Sequence, residues 1–532
     1  MKHFAWLGVL LMVLGVQAYA KPAAESETLK TGVNGKLRHI GAYSVGETSA
    51  DGGIAEIVKY NKDNKRIYMV NGALGSLDIV DAGTLRSGKF TDLTLYKRID
   101  ISAMGTANGF NYGDLTSVAI NTKNKMIALA VQHRDYNAPG YIVIINYEGE
   151  YVRHYGAGVQ PDMICFTPDG QYILTADEGE PRQGYSGGAI DPPGSVTIVN
   201  INTSEVRVIG FENFDGEADR TALTRNGVIL NKGLKPSLDF EPEYIAVSDD
   251  SRTAWVSLQE ANALAILDIP GGVFKSVAGL GFKDHSLPQN SLDVIRNKKA
   301  ELAPQNLWGA YMPDGIAVVT IQGKTYILTA NEGDAREWGS GGGAYTDVGS
   351  FSIGEFKMDV IDNNKKDGLD AGKKYLYGAR SFSIWEAAVA NTQSTEAKLV
   401  YDSGNEFETR TAALFPANFN ASHGNNDIDN RSGKKGPEPE YVDTLKINNK
   451  IYALIGLERI GGVMLYDISN PASPVFYDYI NTRDFSKSTL SGMGDLGPEG
   501  LCPVEASDSP TKRPLIFVAN EVSGTIAVFE VQ

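Results

Sequence analysis

Acidic residues recur at two positions of a repeated strand pattern, and this spacing can bring many carboxylates together. The first position starts the first strand of a repeat, and the second directly follows its second strand. First-position acids are Glu56, Asp114, Asp162, Glu241, Glu243, Asp314, Glu438, Glu440 and Glu499; second-position acids are Glu178, Glu260, Glu332, Glu458 and Glu521. Gly72 and His133 take the second position in two repeats. Carboxylates that converge must be protonated, paired with a cation or bound to metal.

The ligand chemistry favours a hard divalent cation. Oxygen ligands suit Ca²⁺ or Mg²⁺ better than Zn²⁺, and only six His and two Cys are present for zinc or copper. We predict a metal site, with Ca²⁺ as the metal. The alternative is that these acids are structural and accept backbone hydrogen bonds from neighbouring repeats. The predicted ligands are Glu178, Glu332, Glu260, Glu458, Glu521, Asp162, Asp314, Glu440 and Glu499.

Three arginines in acidic, glycine-containing loops are candidates for holding an anion. Arg182 and Arg336 end the near copies ADEGEPR (176–182) and ANEGDAR (330–336), and Arg431 lies in the polar segment 425–440. A guanidinium fork matches phosphate or carboxylate oxygens. We predict that Arg182, Arg336 and Arg431 contact an anionic substrate. An internal acid–arginine pair that fixes each loop is the alternative.

The same strand pattern recurs along the chain, which predicts an all-β repeat architecture. Each copy has an acidic residue, an apolar strand, a polar turn and a second apolar strand, and a third strand usually follows. The copies cover 52–81, 113–132, 160–180, 241–269, 313–336, 437–468 and 498–531. Seven units of three or four antiparallel strands predict a seven-bladed β-propeller, with two packed β-sandwich domains as the alternative.

The two ends of the chain predict how such a ring closes. The last unit ends after its third strand, and the segment 37–45 resembles 151–159, the fourth strand of the second unit. We therefore expect the N-terminal strand to complete the last blade, which leaves no open sheet edge. Residues 37–532 then form a single propeller domain.

Propeller topology predicts one working face. In a blade, the start of the first strand and the end of the second lie on the same side of the disc, so both sets of acids are expected there. Long insertions leave the same loops, at 103–113, 179–194, 210–240, 279–312, 333–377 and 421–437. Loops carry function disproportionately, which favours this face as the site.

The N-terminus has the features of an export signal. Lys2 and His3 precede an apolar run from Phe4 to Val16, and Ala18-Tyr19-Ala20 supplies small residues at the cleavage positions. We predict a signal peptide at 1–20, cleaved after Ala20, and a polar linker at 21–36. The mature protein is expected to be secreted or periplasmic, without a membrane span.

Composition narrows the classes of partner. The formal net charge is −16 and Gly is 58 of 532 residues. A fold-wide basic footprint is absent, which argues against a nucleic acid partner, and abundant glycine without abundant proline indicates many tight turns. An anionic small molecule held through metal is compatible with this charge.

Four segments resemble the choice-of-anchor I family: GGIAEIV (52–58), TANEGDAR (329–336), DNRSGKKGPEPE (429–440) and PEGL (498–501). The resemblance covers essentially the whole mature chain and implies an exported propeller. The family includes relatives of mesenchyme-specific cell-surface glycoproteins linked to calcium biominerals, and some bacterial members carry the label of atypical alkaline phosphatase. The resemblance assigns no catalytic residues.

Two functions are compatible with these features. The first is a calcium-dependent phosphoesterase of alkaline-phosphatase type that acts on a phosphate ester or another anionic small molecule. The second is a non-catalytic calcium-binding platform for a protein, a glycan or a mineral surface. Only hydrolysis requires an open coordination position and cations aimed at the substrate, so turnover of a phosphate ester separates the two.

Overall fold

The protein is built of small antiparallel sheets that follow one another along the chain. The computed structural model describes residues 29–340, 344–387 and 394–532. The predicted signal peptide and residues 21–28 of the predicted linker lie outside these ranges.

The main sheets are numbered along the chain by their first strands. Sheet 1 has Val58–Asn61, Arg66–Asn71, Ser76–Asp81 and Thr94–Asp100; sheet 2 has Tyr112–Asn121, Met126–His133, Pro139–Ile145 and Tyr151–Val159; sheet 3 has Pro161–Phe166, Tyr172–Asp177, Ser195–Asn200 and Glu205–Ile209; sheet 4 has Pro242–Val247, Thr253–Leu258, Ala263–Asp268 and Val273–Gly279; sheet 5 has Ile316–Ile321, Lys324–Ala330, Phe382–Glu386 and Lys398–Asp402; sheet 6 has Pro439–Ile447, Lys450–Leu457, Val463–Asp467 and Val475–Ile480; sheet 7 has Pro498–Val504, Leu515–Asn520, Thr525–Val531 and Leu37–Ser44.

The sheets surround a common axis. The first strand of each sheet contacts the first strand of the next, and the first strand of sheet 7 contacts that of sheet 1. Strands two, three and four follow outward in sequence order in sheets 1 to 6. The all-β prediction is confirmed, and the architecture is that of a β-propeller, with the first strands innermost.

Apolar side chains on both surfaces of each sheet hold neighbouring sheets together. In the second strand of sheet 1, Ile67 and Met69 pack toward sheet 7, whereas Tyr68 and Val70 pack toward sheet 2. Successive side chains of a strand point to opposite faces, so a strand between two sheets must be apolar at every position. The fourth strand Thr94–Asp100 is mostly exposed, because it lies at the outer edge. This burial gradient explains why second strands are continuous apolar runs in the sequence.

The N-terminal strand Leu37–Ser44 lies in the same sheet as the C-terminal strand. It pairs antiparallel with Thr525–Val531, from Leu37 opposite Val531 to Ser44 opposite Thr525. The preceding segment 30–36, predicted as linker, is not free. The Asp478 carboxylate of sheet 6 accepts hydrogen bonds from the N–H groups of Asn34, Lys36 and Leu37, each at 2.7 Å. These bonds fix the segment, so the linker prediction is wrong for this part.

Helices and short strands occupy the insertions between the sheets. The α-helices are Ile101–Asn108, Glu217–Arg225, Pro236–Asp239 and Glu406–Leu414, and the 3₁₀ turns are Glu212–Phe214, Pro288–Asn290 and Leu490–Gly492. The additional strands are Thr91–Asp92, Leu230–Asn231, Phe282–Asp284, Trp308–Ala310, Glu337–Trp338, Tyr345–Thr346, Val348–Ile353, Phe356–Ile361, Lys366–Asp367, Tyr375–Leu376 and Ser394–Glu396. Among the described residues, no helix has the length and apolar character needed to cross a bilayer.

Candidate metal centre

A proline followed by an acid starts the innermost strand in four sheets. The pairs are Pro161–Asp162, Pro242–Glu243, Pro439–Glu440 and Pro498–Glu499. Directly after each proline, the next paired residue lies three positions further along the first strand but only two positions back along the second strand. This is a β-bulge at the acidic residue, and bulges re-aim side chains. Proline suits the first position of a strand because no ladder N–H is needed there.

The backbone before these prolines brings the second set of acids alongside. Gln160 and Glu438 adopt left-handed φ values of 55° and 53°. Their carbonyls accept hydrogen bonds from the N–H groups of Glu178 and Glu458, at 3.0 and 2.9 Å. Gly497 accepts the equivalent bond from Glu521 at 2.8 Å. Glu178, Glu458 and Glu521 are therefore fixed next to the first-position acids of their own sheets.

The two sets of acids line two cavities along the axis. The upper cavity, of about 340 Å³, is lined by Glu178, Glu180, Glu243, Gln259, Glu260, Asp314, Glu332, Asp334, Lys435, Glu440, Glu458, Arg459, Glu499 and Glu521. The lower cavity, of about 120 Å³, is lined by Glu56, Ile57, Thr116, Ser117, Asp162, Met163, Tyr244, Asp314, Tyr441, Glu499 and Glu521. Every predicted metal ligand lines one of these cavities, so the structure brings the whole predicted set together.

Several of these carboxylates are close enough to share one cation. In each of the following groups, one potential ligand atom per residue lies within 4.8 Å of the others: Asp162, Glu178 and Glu243; Asp314, Glu332 and Glu440; His423, Glu458 and Glu521; and Glu332, Glu438 and Glu458. Among the described residues, no Lys or Arg forms an ion pair with the first group, although the positive charge of Arg182 is near enough to favour ionisation of Asp162 and Glu178. Oxygen ligands at such separations fit Ca²⁺, which takes six to eight of them in flexible geometry.

Burial and mutual repulsion make these carboxyls hard to ionise. Burial, followed by repulsion from Glu180 and Asp162, raises the pKa of Glu178 well above its usual range. Burial is also the main cause that raises the pKa of Glu260 to about 7, and repulsion from Asp334 adds to it. A carboxyl in this state at neutral pH requires either a proton or a nearby cation.

Glu260 of the upper cavity has a carboxylate oxygen without a hydrogen-bond partner. Glu260 is 6% exposed, and its buried Oε2 accepts no hydrogen bond. Buried polar atoms are paired in the great majority of cases, so this atom calls for a partner outside the protein. Glu521 differs, because its Oε2 accepts a bond from the N–H of Gly53, shortly before sheet 1, at 3.2 Å. The alternative that these acids are structural groups bonded to the backbone therefore holds in part for Glu521 and not for Glu260.

A cationic cluster occupies one side of the upper cavity. Glu438 is fully buried and contacts three cations: Lys435 at 3.2 Å, Arg459 at 3.0 Å, and Arg431, whose Nε donates at 2.6 Å. Burial alone would raise the pKa of Glu438, but these three cations lower it far below its usual range. Lys435 also forms an ion pair with Glu332. Glu438 is thus ion-paired with these three side chains and is not available as a metal ligand.

The three predicted anion-binding arginines are placed differently. Arg182 is partly exposed beside the upper cavity, and its Nε donates to Glu180 at 2.9 Å. The Arg431 side chain is 14% exposed and is engaged by Glu438. Arg336 is 1% exposed, contacts Glu241 at 3.2 Å and donates to the Asp239 carbonyl at 2.6 Å. A substrate cannot reach this guanidinium, so the substrate-contacting role predicted for Arg336 is wrong, and the internal-pair alternative holds.

Substitution of Arg336 is expected to destabilise the fold. Arg336→Gln leaves Glu241 buried without its counter-ion, and breaking a buried pair costs about 3–5 kcal/mol of unfolding free energy. Arg182→Gln is the matched control, because its exposed pair with Glu180 is worth less than about 1 kcal/mol. Urea denaturation of both variants measures the difference. Equal losses of unfolding free energy in the two variants would contradict the buried position of Arg336.

Several cavity residues were not selected from the sequence. Lys435 and Arg459 line the upper cavity, and His423 adjoins it, with Nδ1 at 3.1 Å from Glu458. Glu180, Glu243, Gln259 and Asp334 complete the additional lining. The proline–acid dipeptide is a sequence signal that identifies Glu243. Lys435 lies in a long insertion whose path no strand periodicity predicts.

The fold and this site define a β-propeller with an acidic cavity on its axis. The choice-of-anchor I domain model matches residues 56–471. The chain belongs to this family, as the sequence resemblance implied. Choice-of-anchor domains are found in exported or cell-surface proteins, so the protein is one of these.

The individual proteins that align with this chain are more distantly related to it. Gigasin-3a of Magallana gigas is 26% identical over 195 residues, which cover 34% of this chain and 65% of that protein. The solved structures that align include hydrazine synthase of Kuenenia stuttgartiensis, with 11% identity, 91% and 97% coverage of the two chains and a TM-score of 0.46. The β-propeller domain of Cps50 (Swd1) of Myceliophteria thermophila aligns with 8% identity, 92% and 99% coverage and a TM-score of 0.45.

Proposed function

We propose that the protein is an exported, calcium-dependent phosphoesterase whose metal centre is the upper cavity. The observation that carries the proposal is the coexistence of two kinds of group in one open cavity. Glu178 and Glu243, which form no ion pair with any described residue, line the same cavity as the cations Lys435 and Arg459. A phosphate ester needs both, because metal and fixed cations together neutralise its oxygens.

The residues divide into a metal-binding side and a substrate side. Asp162, Glu178 and Glu243 would hold Ca²⁺, and the unpartnered Oε2 of Glu260 lies in the same cavity wall. Bound Ca²⁺ supplies a Lewis acid for a phosphoryl oxygen and lowers the pKa of a bound water. Arg459 and Lys435 bind the remaining phosphoryl oxygens, and Arg182, paired with Glu180 beside the cavity, offers a further cation on the metal-binding side. The burial of the acids keeps water away from their charges and strengthens each of these interactions.

A calcium-binding platform is the second candidate, and one observation favours it. Each of these three cations already has a carboxylate partner: Arg182 contacts Glu180, Arg459 contacts Glu438, and Lys435 contacts Glu332. A substrate phosphate would have to displace these partners. A platform that binds a protein, a glycan or a mineral surface through Ca²⁺ requires no such displacement.

Turnover of p-nitrophenyl phosphate distinguishes the two candidates. The purified protein is expected to retain Ca²⁺ in metal analysis and to hydrolyse the ester, with activity lost in EDTA and restored by Ca²⁺. Glu178→Gln is expected to lower kcat/KM at least about 100-fold, since a ligand of the metal is lost. The control Glu148→Gln removes an exposed carboxylate paired with Arg66 and should leave kcat/KM within about twofold.

Other outcomes of the same experiment are equally informative. Retained Ca²⁺ without turnover of this or other phosphate esters would favour the platform. Turnover that is insensitive to EDTA and to Glu178→Gln would contradict the metal centre. Absence of bound metal, with no effect of Ca²⁺ on the melting temperature, would leave the acids as structural groups.

The finer architecture is part of the proposal. A ring of seven blades, closed by the N-terminal strand, is supported by the cyclic contacts of the first strands and by the pairing of Leu37–Ser44 with Thr525–Val531. Release into the periplasm or medium after cleavage behind Ala20 is supported by the sequence of the first twenty residues.

A further inference from the structure

The lower cavity is a separate space beneath the proposed metal centre. It lies deeper along the axis, because its lining residues Ile57, Met163, Tyr244 and Tyr441 each follow a first-position acid along the innermost strands. Five carboxylates line it: Glu56, Asp162, Asp314, Glu499 and Glu521. No Lys or Arg is among its lining residues in the described structure. A space of about 120 Å³ therefore faces five acids without a cation.

Glu56 is the residue that sets this cavity apart. It does not line the upper cavity, and its Oε2 is buried without a hydrogen-bond partner. A Cβ at Gly72 would lie 3.0 Å from this oxygen, so glycine leaves room for the carboxylate over the backbone. Burial, with repulsion from Asp114 and Asp162, raises the pKa of Glu56 well above its usual range. A buried carboxylate oxygen in this position requires a partner that the protein does not supply.

Two phenols close the cavity from below. The hydroxyl groups of Tyr244 and Tyr441 are hydrogen-bonded to each other. Lys59 donates to the Tyr441 hydroxyl from the far side at 3.2 Å and is not itself part of the lining. Thr116, a further lining residue, donates to the carbonyls of Pro161 and Asp162. Two phenol hydroxyls and a threonine hydroxyl therefore add polar groups to the lining.

We infer that the lower cavity is a second divalent-cation site, in which Glu56 is the distinguishing ligand. Asp162, Asp314, Glu499 and Glu521 offer further oxygens. The last three also line the upper cavity, and Asp162 belongs to the proposed calcium group with Glu178 and Glu243, so all four can serve both ions. A volume of about 120 Å³ holds a cation with a few waters but not a phosphate ester. The ion is thus structural and ties together sheets 1, 3, 5 and 7. The inference rests on the proposed function only in these shared ligands.

Terbium luminescence tests the inference. Tb³⁺ replaces Ca²⁺ at oxygen sites and emits when excited through a nearby tyrosine, and Tyr244 and Tyr441 line the lower cavity. Glu56→Gln is expected to weaken the tyrosine-excited Tb³⁺ site at least about tenfold, since ligand charge sets affinity. Glu260→Gln, which removes a carboxylate that lines only the upper cavity, should leave this signal in place. Glu148→Gln is the control, because this exposed carboxylate is paired with Arg66 and lines neither cavity.

A second variant distinguishes a specific change in the site from misfolding of the protein. Tyr244→Phe retains all five carboxylates, so it should reduce the emission while metal analysis still finds the same number of bound ions. Full emission from Glu56→Gln, or loss of emission in Glu148→Gln to the same extent, would overturn the inference. Absence of tyrosine-excited emission in the wild type would also overturn it, whereas calcium-dependent phosphoester hydrolysis in that protein would still support the upper centre.

Discussion

In EDTA, the melting temperature of the protein is expected to fall as the pH rises from about 5 to about 8, and Ca²⁺ is expected to reverse this loss. Burial is the main cause that raises the pKa of Glu332 to about 8 and that of Asp162 to about 7. In the unfolded chain these groups ionise near pH 4. Between these values the folded state binds more protons than the unfolded state, so raising the pH favours unfolding. Bound Ca²⁺ replaces the protons and removes this dependence.

The decrease should reach roughly 5 °C or more, because several such groups ionise together. Thermal melts followed by circular dichroism at a series of pH values, with EDTA or with Ca²⁺, measure it. Glu332→Gln should flatten the profile, since the amide has no proton to lose. Stability of the metal-free protein that rises over this pH range, or no effect of Ca²⁺ at pH 8, would contradict the proposed centre.

Lys435→Met is expected to destabilise the metal-free protein and to strengthen calcium binding. Lys435 contacts Glu332 and Glu438 and is 13% exposed in its side chain. Loss of one partner of a buried ion pair costs about 3 kcal/mol of unfolding free energy. The same loss leaves Asp314, Glu332 and Glu440 without a competing cation, so the affinity of this group for Ca²⁺ should rise about tenfold.

The neighbouring lysine supplies the control. Lys434 is half exposed and lies 4.0 Å from Asp359, so Lys434→Met should change the unfolding free energy by less than about 0.5 kcal/mol. Urea denaturation in EDTA and calcium titration calorimetry of both variants provide the comparison. Unchanged stability and unchanged calcium affinity in Lys435→Met would show that the lysine does not compete for this group of acids.

Sequence alone locates the strands and both sets of acids, because they follow a repeated pattern. The first two strands of sheet 3, Pro161–Phe166 and Tyr172–Asp177, for example, fall within the predicted copy at 160–180, with Asp162 at the start of the first and Glu178 directly after the second, as expected. Because the acids recur at the same positions relative to the strand ends, the pattern predicts which end of each strand carries them. The prediction that the acids share one side of the fold follows from this regularity.

The positions of the arginines are not predicted by the repeated strand pattern. ADEGEPR and ANEGDAR are near copies, yet Arg182 is at the edge of the cavity and Arg336 is buried. The difference comes from Asp239 and Glu241, which lie about a hundred residues away in the chain and form the buried partners of Arg336. Lys435 likewise owes its place to the contacts of a long insertion. Pairings between insertions have no period, so one sequence does not specify them.

The prolines that start the innermost strands affect more than register. A proline has no N–H, so at Pro161, Pro242, Pro439 and Pro498 the backbone offers the axis only carbonyl oxygens. An anion approaching this entrance finds few backbone donors of the kind that helix N-termini or glycine-rich loops provide. The main chain therefore adds to the preference for positive charge that the acidic side chains create.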